Sequence, residues 1–207
     1  KEAMHAGAIG FSTSRTFNHT TADDRPVASR LANWDEVRAI VNAVGETGKG
    51  IFEIAGEAPG RSPERNREYH DRLRDLAVES GVTQTWGMFS VKAAPDIWRP
   101  YFDLLDETAT AGGRMFAQVH TRGLNNILSF ESATPYDNWE LWRDIRALPL
   151  HEQKARLGDP ATKAKLIEIA NREYIGPRIV GAEIRPPDWD YVFLMNDMSY
   201  DKPSMAQ

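Results

Sequence analysis

Gly112-Gly113-Arg114-Met115-Phe116-Ala117-Gln118-Val119-His120-Thr121-Arg122 holds the pattern on which the whole chain is built. A helical tail stops at Gly112, an apolar run of strand-forming residues follows, and the run turns polar at His120. The same order occurs earlier: Gly7 stands before Ala8-Ile9-Gly10-Phe11, Gly48 before Gly50-Ile51-Phe52, and Gly81 before Val82-Thr83-Gln84-Thr85-Trp86. The four glycines are 41, 33 and 31 residues apart, close to the roughly 30 residues of one βαβ crossover. Strands at that spacing with helices between them pair in parallel, so the fold class is α/β.

The intervening helices carry their own signals. Asn33 caps a helix with Glu36 three residues on, and Trp34, Val37, Val41 and Val44 share one face. Ser62-Pro63 opens the next as cap and first-turn proline, with Tyr69, Leu73 and Leu76 on the buried stripe. The third has Trp98, Phe102, Leu105 and Ala109 at helical spacing. Arg65, Arg67, Arg72 and Arg74 lie between these stripes and form a solvated face.

After residue 122 the rhythm changes. Asp137 with Glu140 and Asp159-Pro160 each start a helix, and Trp139, Leu141, Trp142, Ile145 and Leu148 provide a packing face. Residues 179–184 and 191–195 read as short strands, with a bend at Pro186-Pro187. The expected organisation is therefore central βα units over 1–122, a helical insertion over 123–187 and a return segment over 188–207. Both termini look cut from running elements, so the expectation is a piece of a longer protein.

Composition narrows the class. The 207 residues are 41% hydrophobic and 10% aromatic, enough for a real core. The net charge of −5 comes without a basic run, which argues against nucleic acid as a partner. A mean hydropathy of −0.52 and no apolar stretch near the roughly 20 residues of a membrane span make the expectation a soluble, cytoplasmic protein. With no Cys, a metal site would draw on His, Asp or Glu.

In parallel α/β folds ligands bind at the carboxyl ends of the strands. The residues there are Ser12, Thr13, Ser14 and Arg15, then Glu53, then Trp86, Phe89 and Ser90, then His120, Thr121 and Arg122. His120 can serve as base, metal ligand or carboxylate contact, or as a structural histidine on a nearby carbonyl. Glu53, between Phe52 and Ile54, needs a partner if buried, either Arg15 or Arg122, or else has an acid/base role. The loop from Arg15 to Ala32 has the length of a lid and carries His19; Asp23-Asp24 reads as a surface turn or a cation site. His5, His70 and His151 read as surface or packing residues. Neither His-x-His, His-Glu-x-x-His, Gly-x-Ser-x-Gly nor Gly-x-Gly-x-x-Gly occurs.

The run Ala6-Gly7-Ala8-Ile9-Gly10-Phe11-Ser12-Thr13-Ser14-Arg15 resembles the strand and loop found mid-barrel in the D-aminoacylase (N-acyl-D-amino-acid deacylase) branch of the amidohydrolase superfamily. The order of helices and strands up to His120 is similar to that branch, as is Asp188-Trp189-Asp190-Tyr191-Val192-Phe193 to the segment after the family's insertion. The resemblance implies part of a (β/α)₈ TIM barrel, about four βα units with a helical insertion. It implies a hydrolase of an amide C–N bond in a small N-acylated or cyclic substrate, using zinc-activated water. Glu53 and Gly87-Met88-Phe89 stand where zinc-binding members place histidines, so both expected imidazoles are missing from this segment and Glu53 remains as a carboxylate ligand or catalytic group. The expected catalytic residues are Glu53 and His120, and the expected substrate contacts are Ser12, Thr13, Arg15, His19 and Arg122. A metal-free barrel acting as a binding protein is the competing reading. A standalone set of four βα units would expose sheet edges, so pairing with a second copy is the third.

Overall fold

Alternation along four short strands decides the architecture. In the computed structural model, which describes residues 1–23, 25–57, 62–90, 95–123, 127–176, 189–195 and 204–205, β1 (Gly10–Ser14), β2 (Ile51–Ala55), β3 (Thr83–Met88) and β4 (Met115–Val119) form one sheet in the order β1-β2-β3-β4. Every neighbouring pair is parallel, with Ser12 opposite Glu53, Glu53 opposite Thr85 and Gly87 opposite Gln118. The order never reverses, so successive crossovers of one hand lay their helices along a single face of the sheet.

That face is the core. Phe52, Ile54, Gln84, Trp86 and Met88 point into it and are buried, while the alternate positions Ile51 and Glu53 of β2 and Phe116 and Gln118 of β4 are exposed. The core is completed by α3 (Trp34–Gly45), α4 (Pro63–Ser80) and α5 (Arg99–Thr110), which follow the short α1 (Glu2–His5) and α2 (Ala28–Leu31). Each fully buried side chain such as Phe52 or Leu73 contributes about 1.5–3 kcal/mol.

The helix signals act as their chemistry requires. Asn33 accepts the Glu36 amide at 2.8 Å and Ser62 Oγ accepts the Arg65 amide at 3.3 Å. Val37, Val41 and Val44 of α3 and Tyr69, Leu73 and Leu76 of α4 are buried. Gly7, Gly48, Gly81 and Gly112 all have positive φ, and Gly81, with φ 65°, is the left-handed cap that ends α4.

The expected stripe of α5 is corrected. Phe102 and Ala109 are exposed, and the helix instead buries Leu104 and Thr108 with Tyr101 and Leu105 packed beside the core. Thr108 tolerates complete burial because its hydroxyl donates to the Leu104 carbonyl at 2.7 Å, which makes a polar residue usable on the inner face. The solvated arginine face holds for Arg67, which donates to both oxygens of Glu107 and joins α4 to α5. Arg72 leaves that face: it is drawn to the strand ends by Glu57.

By internal packing the chain divides into two units, Lys1–Leu124 and Asn125–Gln207. The second contains α6 (Glu140–Arg146), α7 (Leu150–Gly158) and α8 (Pro160–Ala170), with Trp142, Ile145, Leu166 and Ala170 buried together. Asp159 caps α8 through the Thr162 amide at 2.8 Å, as its position before Pro160 predicts. Asp137 does not cap α6. It is 1% exposed, accepts from the Thr134 amide and hydroxyl, and pairs with Arg146 at 2.6 Å, leaving Trp139 as the cap residue. The strand expected over 191–195 is a 3₁₀ turn (Trp189–Tyr191) followed by irregular chain, and the one expected over 179–184, with Pro186-Pro187, lies outside the described residues. No helix among the described residues is long and apolar enough to cross a membrane.

Candidate functional site

The carboxyl ends of β1, β2 and β3 open onto a cleft of about 1080 Å³. Ser12 and Thr13 lie within β1, not after it, because the strand begins at Gly10 and runs to Ser14. Both line the cleft, together with Ser14, His19 and Glu53. A close backbone approach sets the strand's start: a Cβ on Gly10 would lie 1.9 Å from the Ile51 carbonyl oxygen, so only glycine fits there.

Glu53 is exposed, contrary to the buried carboxylate expected from its apolar neighbours. Phe52 and Ile54 take the core face, and the two-residue period of the strand turns Glu53 to the other. Its hydrogen-bond partner is neither Arg15 nor Arg122 but Gln118, whose Nε2 donates to Glu53 Oε1 at 3.3 Å and to Thr85 Oγ1 at 3.0 Å. The amide of Gln118 thus ties β4 to the second and third strands at the level of the carboxylate.

Arg15 is held differently. Its Nε donates to Glu57 Oε1 at 2.6 Å and its Nη1 to the Ala32 carbonyl at 2.6 Å, while Arg72 Nη2 donates to Glu57 Oε2 at 2.9 Å. The Arg72 guanidinium also lies over the rings of Trp34 and Tyr69, 5.2 and 5.7 Å from their centroids. This half-buried trio pins the start of the long β1 loop against the segment after β2. Burial pushes the phenols of Tyr69 and Tyr101, both on the cleft wall, above the ordinary tyrosine range, so both stay protonated.

The long loop closes on itself through short-range contacts. Ser14 and His19 are joined at 2.7 Å between Oγ and Nδ1, Arg30 donates to the His19 carbonyl, and Thr21 and Arg25 engage Asp23. Asp23 is therefore occupied within its own turn; Asp24 lies outside the described residues.

His120 and Arg122 line a second, smaller pocket with Trp98 and Ser90. Phe89 borders both pockets and its ring centroid is 5.6 Å from that of His120, so the ring stands between His120 and the cleft that Glu53 faces. The structure thus gathers Ser12, Thr13, His19 and Glu53, places His120 and Arg122 next door, and withdraws Arg15 into an ion pair. Ser14, Glu57, Phe89 and Gln118 complete the site. Gln118 was legible only as a polar interruption of an apolar run, whereas Ser14 and Phe89 already stood among the strand-end positions of the sequence.

A zinc ion of the kind the deacylase resemblance implies needs three protein ligands and a water. The described residues of the cleft provide one imidazole, at His19, and the carboxylates of Glu36, Glu53 and Glu57, the last already paired with Arg15 and Arg72, and no group of three or more His, Asp or Glu among the described residues is arranged to hold a metal. These donors do not fit such a site by themselves.

No family model matches the chain, and no curated protein or solved structure matches it.

Proposed function

We propose that the cleft at the strand ends is the substrate site of an amidohydrolase-like enzyme that cleaves an amide C–N bond in a small N-acylated or cyclic molecule. In this reading the four βα units are part of a (β/α)₈ barrel within a longer cytoplasmic protein. The observation that carries it is the convergence of Ser12, Ser14, His19 and Glu53 on one large cleft at the carboxyl edge of an all-parallel sheet, the edge where such sheets place their chemistry.

Glu53, oriented by Gln118, accepts a proton from a water that attacks the substrate carbonyl, and the proton passes to the nitrogen as the C–N bond breaks. Ser12 and Ser14 offer hydroxyls to the polar atoms of the substrate, and His120 and Arg122 meet whatever part of it extends past Phe89. A second reading, a metal-free barrel that binds without turnover, is favoured by the shortage of metal donors among the described residues.

Metal content of protein purified without chelator, followed by hydrolysis assays over N-acyl-D- and N-acyl-L-amino acids and cyclic amides, separates the two. Turnover that falls at least about a hundredfold in Glu53→Gln supports the enzyme. Folded protein with no turnover on any member of the panel supports the binding reading.

A further inference from the structure

Charge on the cleft wall is distributed against anions. Glu36, Glu53 and Glu57 line the cleft, and no Lys or Arg is among the described residues that do. The guanidinium groups of Arg15 and Arg72 are both directed at Glu57, which is thereby matched twice. Glu53 has no ion pair among the described residues, only the neutral Gln118 amide.

The surroundings of Glu53 add a second selective element. Gly87 has no side chain beside Gln118, and the Phe89 ring lies against that position, since a Cβ on Gly87 would be 3.7 Å from it. Phe89 is 53% exposed and lines the same cleft as Glu53. A carboxylate without an ion pair and an exposed aromatic ring on the wall of one cleft suit a flat organic cation, which gains from the charge and from the ring quadrupole together.

We propose that the corner formed by Glu53, Gly87, Phe89 and Gln118 is a subsite for a protonated amine or amidinium group of the ligand. The proposal rests on the cleft being the substrate site; it gives Glu53 the role of counter-ion to the ligand in place of proton acceptor, and it narrows the substrate class to molecules cationic at this end. It departs from the carboxylate end of an N-acyl amino acid, which here would face Glu53 without a compensating cation. Any anionic group of the ligand belongs on the far side of Phe89, near Arg122.

The test is calorimetric titration of the 207-residue chain with benzamidinium, benzamide and benzoate at pH 7.5, in the wild type, Glu53→Gln and Phe89→Leu. The expected result is benzamidinium binding about tenfold or more tighter than either other probe, with the preference lost in Glu53→Gln and weakened severalfold in Phe89→Leu. Glu53 and Phe89 are both exposed, and thermal unfolding of each variant verifies that it is folded. Benzoate binding as tightly as benzamidinium, no binding of any probe, or a cation preference that survives Glu53→Gln in folded protein overturns the proposal. Absence of amide turnover leaves these outcomes unaffected, so the failure of the enzymatic reading and the failure of the cation subsite are distinguishable.

Discussion

Ser14 Oγ lies 2.7 Å from His19 Nδ1, which folds the start of the long loop back over the end of the strand from which it leaves. The bond is exposed, so its net worth is at most about 1 kcal/mol, but it limits where the imidazole can point. Ser14→Ala is expected to leave the unfolding midpoint nearly unchanged and to accelerate proteolytic cleavage within residues 16–32. Equal cleavage rates in the variant and the wild type would show that the bond does not order the loop.

The Arg15, Glu57 and Arg72 trio is half-buried, and its central carboxylate bridges two guanidinium groups, one through each oxygen. Removing that charge leaves both cations facing each other in a poorly solvated place. Glu57→Gln is expected to cost about 2 kcal/mol, well above the value of an exposed ion pair. Urea denaturation of the variant checks the size, and Arg38→Met, which breaks the exposed pair with Glu79, is the comparison expected near zero.

Gln84 sits on the core face of β3 with 0% exposure, and neither atom of its amide has a hydrogen-bond partner among the described residues. A buried amide left unsatisfied costs about 1–3 kcal/mol, so an apolar side chain of the same length fits the position better. Gln84→Met is expected to raise stability by about 1 kcal/mol or more. A destabilised variant in thermal unfolding would mean that the amide is satisfied in solution, by water for example.

His70 is 7% exposed and packs at a tilt against Tyr101, and burial, with Arg67 nearby, holds its pKa below the ordinary imidazole value of 6.5. The folded protein therefore binds this proton less readily than the unfolded chain does. Stability from this group is intact above pH 6.5, falls as the pH drops below it, and stops falling once the folded-state pKa is passed. His70→Phe is expected to flatten the stability profile over that window, measured by urea denaturation from pH 7.5 to 5. An unchanged slope would assign the acid sensitivity elsewhere.

Gly10 packs against the neighbouring strand so closely that a Cβ would meet the Ile51 carbonyl oxygen, carbon and nitrogen within 3 Å. All three are backbone atoms of a hydrogen-bonded strand and cannot yield without breaking register. Gly10→Ala is expected to destabilise by about 3 kcal/mol or to prevent folding, whereas Gly158→Ala, with open space around it, is expected near neutral. Circular dichroism melts of the pair provide the comparison.

What the sequence determined by itself is local. Gly-terminated helices, the caps at Asn33, Ser62 and Asp159, and the recurrence of apolar runs are properties of neighbouring residues, and they were enough to specify a parallel α/β unit with its buried α3 and α4 faces. Strand limits and face assignment were less legible. Phe11 read as the end of an apolar run, yet Ser12 to Ser14 continue the strand because their backbone pairs with Glu53 to Ala55, a partner some forty positions away. Pairing of that kind ignores whether a side chain is polar. The rotation of α5 by one position and the use of Asp137 as a buried ion-pair partner rest on nearer groups that a hydrophobic period does not reveal, the Leu104 carbonyl one turn before Thr108 and Arg146 at the end of the helix that follows Asp137.

The site divides along the same line. Polar residues following apolar runs identified which positions could face a cleft, since parallel strands expose their carboxyl ends together. Only the tertiary structure decided that Glu57 captures Arg15 and Arg72, that Gln118 holds Glu53, and that Phe89 separates Glu53 from His120. Which charge meets which is set by distances of a few ångströms between residues 15 to 65 positions apart, and those distances exist only after the helices have packed and the strand register has been chosen.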